Sequence, residues 1–165
     1  MAYDYSEEYQ STDFRKHPER YRIGRGEQGV LTVEPYKSEI LPHWRFKDPE
    51  AAQASSKQIY AMFLEYVQQE DFVGADMARK FLQMGYTRAR RYANYPGGKK
   101  YQSNPQQEAT PEAEQAARQR VLPRQEDPIK AEAARIFKEK WEEAKRNNTY
   151  QRLKATHQTL EKNQQ

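Results

Sequence analysis

The sequence predicts a mainly α fold with a small β-hairpin (α+β), in which a compact N-terminal domain precedes a helical C-terminal tail. Three observations support this class. Apolar residues recur at three- and four-residue spacing over residues 59–82, as amphipathic helices require. Two short runs between residues 30 and 46 have the composition of hairpin strands. Of the 12 tyrosines, 11 lie at or before Tyr101, so we expect the core to form in the first part of the chain.

The N-terminal segment is expected to be irregular. Residues 1–12 are polar and acidic, and they are predicted to form a flexible arm because they bury too little apolar surface to offset the entropy of ordering. Three glycines follow within residues 24–29, a composition typical of turns. We place the compact domain at residues 13–101 and expect its first part to wrap around the core.

Two extended runs predict the hairpin. The first, VLTVEPY, begins at Val30 and has β-branched residues at alternating positions, and the second, ILPHWRF, begins at Ile40. Pro35 and Pro42 lack the N–H that a sheet ladder needs, which confines each run to an edge or a strand end.

Helix start signals then appear twice. Asp48 can cap a helix that has Pro49 at its first position, and we expect this helix to run to about Gln69. Asp71 can cap the next helix. Glycine at position 85 is well placed to end it.

A short basic helix, RARRYAN, is expected after this glycine. Thr87 can cap it, and Pro96-Gly97-Gly98 stops it. The arrangement is also that of a helix-turn-helix, whose second helix enters a DNA groove. Helix–glycine–helix corners occur as well in proteins that never touch DNA, so both interpretations remain open.

The composition changes after Tyr101. Residues 102–127 are predicted to be a linker with a short helix starting at Thr110, because the segment is mostly polar. Residues 128–165 are predicted to be an amphipathic helical tail, with a break near Asn147. Its apolar stripe, Ile129–Ala144, can fold back onto the domain or bind a protein partner or a second copy of the chain.

Charge is unevenly distributed. The net charge is +4, but residues 1–78 hold 9 bases and 14 acids, and residues 102–165 hold 12 bases and 10 acids. Residues 79–101 hold seven bases and no acid. This local basic segment favours an anionic partner.

The leading hypothesis is a non-enzymatic protein that binds DNA or RNA, single- or double-stranded, through this segment. Arginine binds phosphate in bidentate fashion, and tyrosine can stack on an unpaired base. The predicted phosphate-binding residues are Arg79, Lys80, Arg88, Arg90, Arg91, Lys99 and Lys100. Tyr86, Tyr92 and Tyr95 are the predicted stacking residues, and Arg22 and Arg25 are predicted to give supporting phosphate contacts.

Two other hypotheses remain. The basic helix can instead pair with acids of the same chain or of a protein partner, in which case the protein is a structural or adaptor protein that also uses the Ile129–Ala144 helix. A metal-dependent nuclease would need acids and a lysine near a strand, and Glu34, Lys37 and Glu39 come nearest, with a spacing one residue too long. The three histidines are scattered and no nucleophile motif is present, so we expect no catalytic residue, metal or cofactor.

Several classes are excluded or disfavoured. The chain has no cysteine, which excludes disulfides and thiolate metal sites. No N-terminal stretch resembles a signal peptide, and no apolar run approaches membrane-spanning length. We therefore expect a soluble cytoplasmic protein with no membrane partner.

The compact domain resembles a known family over two long strings. They are DFRKHPERYRIGRGEQGVLTVEPYKSEILPHWRF and DFVGADMARKFLQMGYTRARRYANYPGGKKY. Both are similar to the small proteins grouped as domain of unknown function 4385, which occur in bacteria, their phages and fungi. The resemblance covers residues 13–101 and implies a domain boundary near residue 101. The family has no settled activity, so the resemblance supplies no catalytic residue.

Overall fold

The computed structural model describes residues 3–164, and over this span the fold is all-α, with seven α-helices and no β-strand. Short 3-10 turns connect several of them. The helices are α1 (Glu7–Gln10), α2 (Tyr36–Ile40), α3 (Pro49–Gln68), α4 (Phe72–Asn94), α5 (Pro111–Gln119), α6 (Pro128–Arg146) and α7 (Asn148–Asn163).

The predicted β-hairpin, and with it the α+β class, is wrong. The chain after Val30 turns and then forms α2, and the N–H of Lys37 donates back to the carbonyl of Val33, ahead of the helix, at 2.8 Å. The first run makes one isolated bridge, between Asp13 and Glu34. Val30 and Val33 of this run are buried although their backbone is irregular, and Leu31 is exposed, so packing of the two valines against the core overrides the β propensity of the run.

The start of α3 agrees with the helix signal in the sequence. The Asp48 carboxylate accepts a hydrogen bond from the N–H of Ala51 at 2.8 Å, and Pro49 occupies the first position. Asp71 caps α4 in the same way, accepting from the N–H of Gly74 at 3.1 Å. These caps satisfy N–H groups that have no partner inside the helix.

Helix α4 continues through Gly85, so the predicted turn and the separate helix after Thr87 are wrong. Phe137 of α6 covers this glycine: a Cβ on Gly85 would lie 2.3 Å from its Cδ1. The glycine therefore serves close packing of two helices, and no turn is present for a helix-turn-helix motif.

The core lies between α3, α4 and α6. Phe63 of α3, Leu82 of α4 and Phe137 of α6 are all fully buried in one cluster. The ranges predicted as a compact domain, residues 13–101, and as a tail, residues 128–165, thus both contribute to this core.

The apolar stripe of α6 is largely used inside the chain. Its buried members pack in the core, whereas Ile129 at its start is 58% exposed. Asp127 caps α6, Thr110 caps α5, and α7 begins after a cap by Asn147.

Helix α7 reaches back to the N-terminal part of the chain. The ring Nε2–H of His157 donates to the carbonyl of Tyr21 at 2.6 Å, and the N–H of Ile23 donates to the carboxylate of Glu161 at 2.8 Å. Both contacts fix the segment that leads into residues 24–29, which form the glycine-rich loop.

The predicted flexible arm, residues 1–12, falls partly outside the described residues, which exclude Met1 and Ala2. From Tyr3 onward the segment packs against the protein. The Tyr3 hydroxyl lies 3.0 Å from that of Tyr9, and Tyr9 is buried beside Phe14. No helix within residues 3–164 combines the length and the apolar character needed to cross a membrane.

Candidate functional site

A cleft of about 720 Å³ opens beside the C-terminal half of α4. The loop after α4, the turn at residues 101–106 and α5 form its other sides. Five cations and one acid line this basic cleft: Arg88, Arg91, Lys99, Lys100, Arg118 and Glu27. Five positive charges against one negative give the lining a net charge of +4.

The loop at residues 96–100 is shaped by its two glycines. Gly97 and Gly98 have φ of 63° and 74°, a region that glycine adopts without strain. At Gly98 a Cβ would also lie 3.1 Å from the ring of Tyr92. The guanidinium of Arg91 donates from Nε to the Gly98 carbonyl at 2.8 Å, which ties the loop to α4.

The chain leaving this loop is fixed by a return segment. Tyr101 forms an antiparallel bridge with Val121. The N–H of Leu122 donates to the carbonyl of Lys100 at 2.7 Å, and the N–H of Gln102 donates to that of Arg120 at 2.9 Å. These bonds hold the lysine pair at the cleft.

Four of the lining cations carry no ion pair. Within residues 3–164 no carboxylate oxygen lies within 4 Å of Arg88, Arg91, Lys99 or Lys100. Arg118 does pair, with Glu114 of its own helix at 2.9 Å. The cleft therefore presents positive charge that the described chain does not neutralise.

The ring of Tyr101 lies close to two of these cations. The guanidinium carbon of Arg91 lies 5.7 Å from the centre of its ring, and the ammonium of Lys100 lies 5.4 Å from it. Cations at this distance from a ring are attracted to its face.

The one acid of the cleft comes from the glycine-rich loop. The carboxylate of Glu27 accepts a hydrogen bond from the hydroxyl of Thr87 at 2.9 Å. This contact holds a carboxylate in the lining of the same cleft as Arg88.

Arg79 and Lys80 lie elsewhere, in the interior of the protein. Arg79 is 6% exposed and pairs with Asp76 at 2.7 Å. Lys80 is fully buried, and its ammonium donates to the carbonyl of Gln28 at 2.6 Å. Neither side chain reaches the basic cleft, so the predicted phosphate contacts of these two residues are not formed there.

Asp76, Arg79 and Lys80 form a buried cluster in which the pKa values are strongly shifted. Burial raises the pKa of Asp76, but the charges of Arg79 and Lys80 outweigh it and lower the pKa to about 2. Burial lowers the pKa of Lys80 to about 8, against the opposing attraction of Asp76. The hydroxyls of Tyr21 and Tyr150 both donate to the Asp76 carboxylate.

Arg90 points away from the cleft. Its guanidinium donates to the side-chain oxygen of Asn94 at 2.8 Å and pairs with Glu126. Of the two consecutive arginines Arg90 and Arg91, only Arg91 therefore lines the cleft.

Only one of the three predicted stacking residues lies in the cleft. Tyr92 lines the cleft and is 38% exposed. Tyr86 instead stacks on Trp141, with ring centres 5.9 Å apart. Tyr95 follows the last residue of α4 and does not line the cleft.

The two supporting arginines lie outside the cleft. Arg22 lines a separate pocket of about 240 Å³, together with Asp4 and Glu8. Arg25 is exposed in the glycine-rich loop, and its side chain does not line the basic cleft.

Tyr101 and Arg118 are among the lining residues that were not predicted from the sequence. Tyr101 directly follows the lysine pair, so its neighbourhood in the chain was a usable signal. Arg118 gave no such signal, because the bridge at Val121 brings α5 to the cleft from a distant part of the sequence.

The acids considered for a nuclease bind separate partners. Glu34 accepts hydrogen bonds from Ser38, and Glu39 pairs with Arg15 at 2.6 Å. Among residues 3–164 no group of three or more His, Cys, Asp or Glu side chains could hold a metal ion.

Comparison with known proteins identifies the family. The model of the family "Domain of unknown function (DUF4385)" matches residues 4–160, which is nearly the whole 165-residue chain. The match extends beyond the strings that resemble the family and includes α5, α6 and most of α7. No curated protein and no solved structure matches the chain. The chain belongs to the DUF4385 family.

Proposed function

We propose that this member of the DUF4385 family is a non-enzymatic protein that binds DNA or RNA, and that the basic cleft holds phosphate groups. The observation that carries the proposal is the set of unpaired cations in one concave site. Charges of one sign in a cleft focus the local field and raise the concentration of ligands of opposite charge.

The types of cation suit phosphate. The guanidinium groups of Arg88 and Arg91 can each give two parallel hydrogen bonds to a phosphate, and Lys99 and Lys100 add point charges. Gly97 leaves the loop open, because within the described residues no atom beyond Pro96, Gly97 and Gly98 lies within 4 Å of the place where its Cβ would be. Backbone can thus approach a ligand closely at this position.

Binding of this kind has a characteristic salt dependence. If four phosphates are neutralised, the logarithm of the binding constant should fall with the logarithm of salt concentration, with a slope of about −2.8 for a single strand and about −3.6 for a DNA duplex. Phosphate contacts read no sequence, so we expect similar affinity for unrelated sequences.

The test is fluorescence anisotropy of labelled DNA and RNA at two salt concentrations. The double variant Arg88→Ala/Arg91→Ala should bind more than about ten-fold more weakly, because each hydrogen bond to a charged group contributes about 1.5–3 kcal/mol. The matched control is Arg135→Ala/Arg152→Ala, which removes the same charge from exposed positions elsewhere. Absence of binding at low salt, or equal weakening by both double variants, would refute the proposal.

A second candidate is an adaptor that binds an acidic protein segment in the same cleft. This candidate is supported by the carboxylate of Glu27, which accepts a hydrogen bond from Thr87 and lines the cleft together with its cations. An acidic peptide that binds with higher affinity than nucleic acid of the same charge would favour this candidate. For either candidate we propose a soluble cytoplasmic setting.

A further inference from the structure

We infer that the basic cleft takes a single-stranded nucleic acid, with its phosphates among the cations and a base against the ring of Tyr92. This inference rests on the proposed function and deepens it by naming the form of the ligand. Its evidence is the placement of the cations, the size of the cleft and the state of its two tyrosines.

The cations come from several sides. Arg88 and Arg91 lie on α4, Lys99 and Lys100 on the following loop, and Arg118 on α5. A strand lying between these elements has cations on more than one side. A double helix presents its phosphates on a convex surface and meets a protein from one side, so it cannot use such an arrangement fully.

The size of the cleft agrees with this ligand. Its volume of about 720 Å³ lies within the range of roughly 300–1,000 Å³ that is usual for sites of small organic ligands. A nucleotide unit is a ligand of that size, whereas a double helix is much wider.

The two tyrosines of the cleft have different roles. Tyr101 has Arg91 and Lys100 near its ring, so this ring already interacts with cations of the protein. The ring of Tyr92 contacts Phe46, with centres 5.8 Å apart, and remains 38% exposed at the cleft. An exposed ring beside a cationic groove is the platform on which unpaired bases stack.

The polar lining also fits unpaired bases. Gln102 and Gln106 line the cleft and are exposed, and their amide groups can donate and accept hydrogen bonds. Only a base that is not already paired offers its pairing edge to such groups.

The experiment compares three ligands on the full-length chain. The probes are a labelled 12-nucleotide DNA strand, the same strand annealed to its complement, and a free mononucleotide as competitor. We expect the single strand to bind at least ten-fold more tightly than the duplex at the same salt concentration. We expect the mononucleotide to compete only at concentrations far above that of the strand.

The role of Tyr92 is tested with two substitutions. Tyr92→Leu should weaken single-strand binding by at least about five-fold, because stacking of one base contributes at least that factor. Tyr92→Phe keeps the ring and should bind like the wild type. Tyr5→Leu, which changes another exposed tyrosine outside the cleft, is the control. Thermal melting of each variant establishes that it is folded.

The outcomes separate this inference from the proposed function. Equal or tighter duplex binding that still depends on Arg88 and Arg91 would overturn the single-strand inference and leave the proposed function standing. Unchanged binding by folded Tyr92→Leu, or a mononucleotide that competes as well as the strand, would also overturn it. Absence of binding at low salt to every one of these probes, and to the labelled RNA of the preceding test, would end both.

Discussion

The ammonium group of Lys80 donates a hydrogen bond to the backbone carbonyl of Gln28, 2.6 Å away, and so fastens the glycine-rich loop to the interior of α4. Arg79 does the same from the next position, donating to the carbonyl of Gly26 at 2.7 Å. Arg79 and Lys80 therefore hold the loop that contains Glu27, the one acid of the cleft, and do not themselves bind a ligand there.

Lys80 should make the free energy of unfolding rise with pH above 8. Its pKa is lowered by burial to about 8, from an ordinary value of 10.5. Between these values the unfolded chain binds more protons than the folded chain, so stability increases with pH. Urea unfolding should show an increase of roughly 1–2 kcal/mol between pH 8 and 9.5.

The control for this prediction is Lys80→Met, which removes the titrating group and should show no such increase. Above pH 10 the trend should reverse, because burial raises the pKa of Tyr21 and of Tyr150, which then ionise first in the unfolded chain. A wild-type stability that stays level or falls from pH 8 to 9.5 would contradict the assignment.

Asp76→Asn should destabilise the protein by about 3–5 kcal/mol at pH 7, because it leaves Arg79 as a buried charge without its partner. The pKa of Asp76, about 2, lies below the ordinary value of 3.8. Its stabilising contribution is therefore present above pH 3.8 and is lost as the pH falls toward 2. Chemical denaturation at several pH values measures both effects.

The double variant Asp76→Asn/Arg79→Gln provides the comparison. It removes both members of the Asp76–Arg79 ion pair, leaves only the Lys80 ammonium as a buried charge, and should recover part of the lost stability. If Arg79→Gln lowers the free energy of unfolding as much in the Asp76→Asn variant as it does in the wild type, the two residues do not act as a pair.

Gly85→Ala should destabilise the fold by about 1–3 kcal/mol, since the added Cβ meets the ring of Phe137. Helix propensity alone predicts the opposite, a gain of about 1 kcal/mol. In a protein that already carries Phe137→Leu, Gly85→Ala should lower the free energy of unfolding less than it does in the wild type. Urea unfolding of the wild type, the two single variants and the double variant measures this difference. A stabilising Gly85→Ala would mean that the two helices do not pack this closely.

Glu27→Gln should strengthen nucleic-acid binding by about two- to five-fold at low salt, because it removes the one negative charge of the cleft and keeps an acceptor for Thr87. The gain should shrink at high salt, where such charges are screened. Glu139→Gln, at an exposed acid outside the cleft, is the matched control. Equal gains in both variants would show only a general charge effect.

Local signals in the sequence predicted the helix starts well. Asp48, Asp71 and Thr110 cap the helices that were expected after them, since a cap bonds to N–H groups two or three residues away. Gly85 was misread because its role depends on Phe137, which lies in another helix.

The burial of Arg79 and Lys80 needed information from other segments. Their partners include loop carbonyls more than 50 residues earlier, which no short pattern reveals. One signal was present, because Asp76 and Arg79 lie four and seven residues after the buried Phe72 and so share its face of α4. The cleft itself was half predicted: Arg88, Arg91, Lys99, Lys100 and Tyr92 line it, and the contribution of α5 was missed.

The contacts between α7 and the N-terminal segment bear on how the protein is made in the cell. The carbonyl of Tyr21 and the N–H of Ile23 find their partners 136 and 138 residues later in the chain. During synthesis, this early segment stays without those partners until α7 has left the ribosome. Contacts between such distant residues form late, and the interval leaves apolar surface open to aggregation or to chaperones. A chain truncated before residue 157 lacks both partners, and we expect its N-terminal segment to be more open to proteolysis.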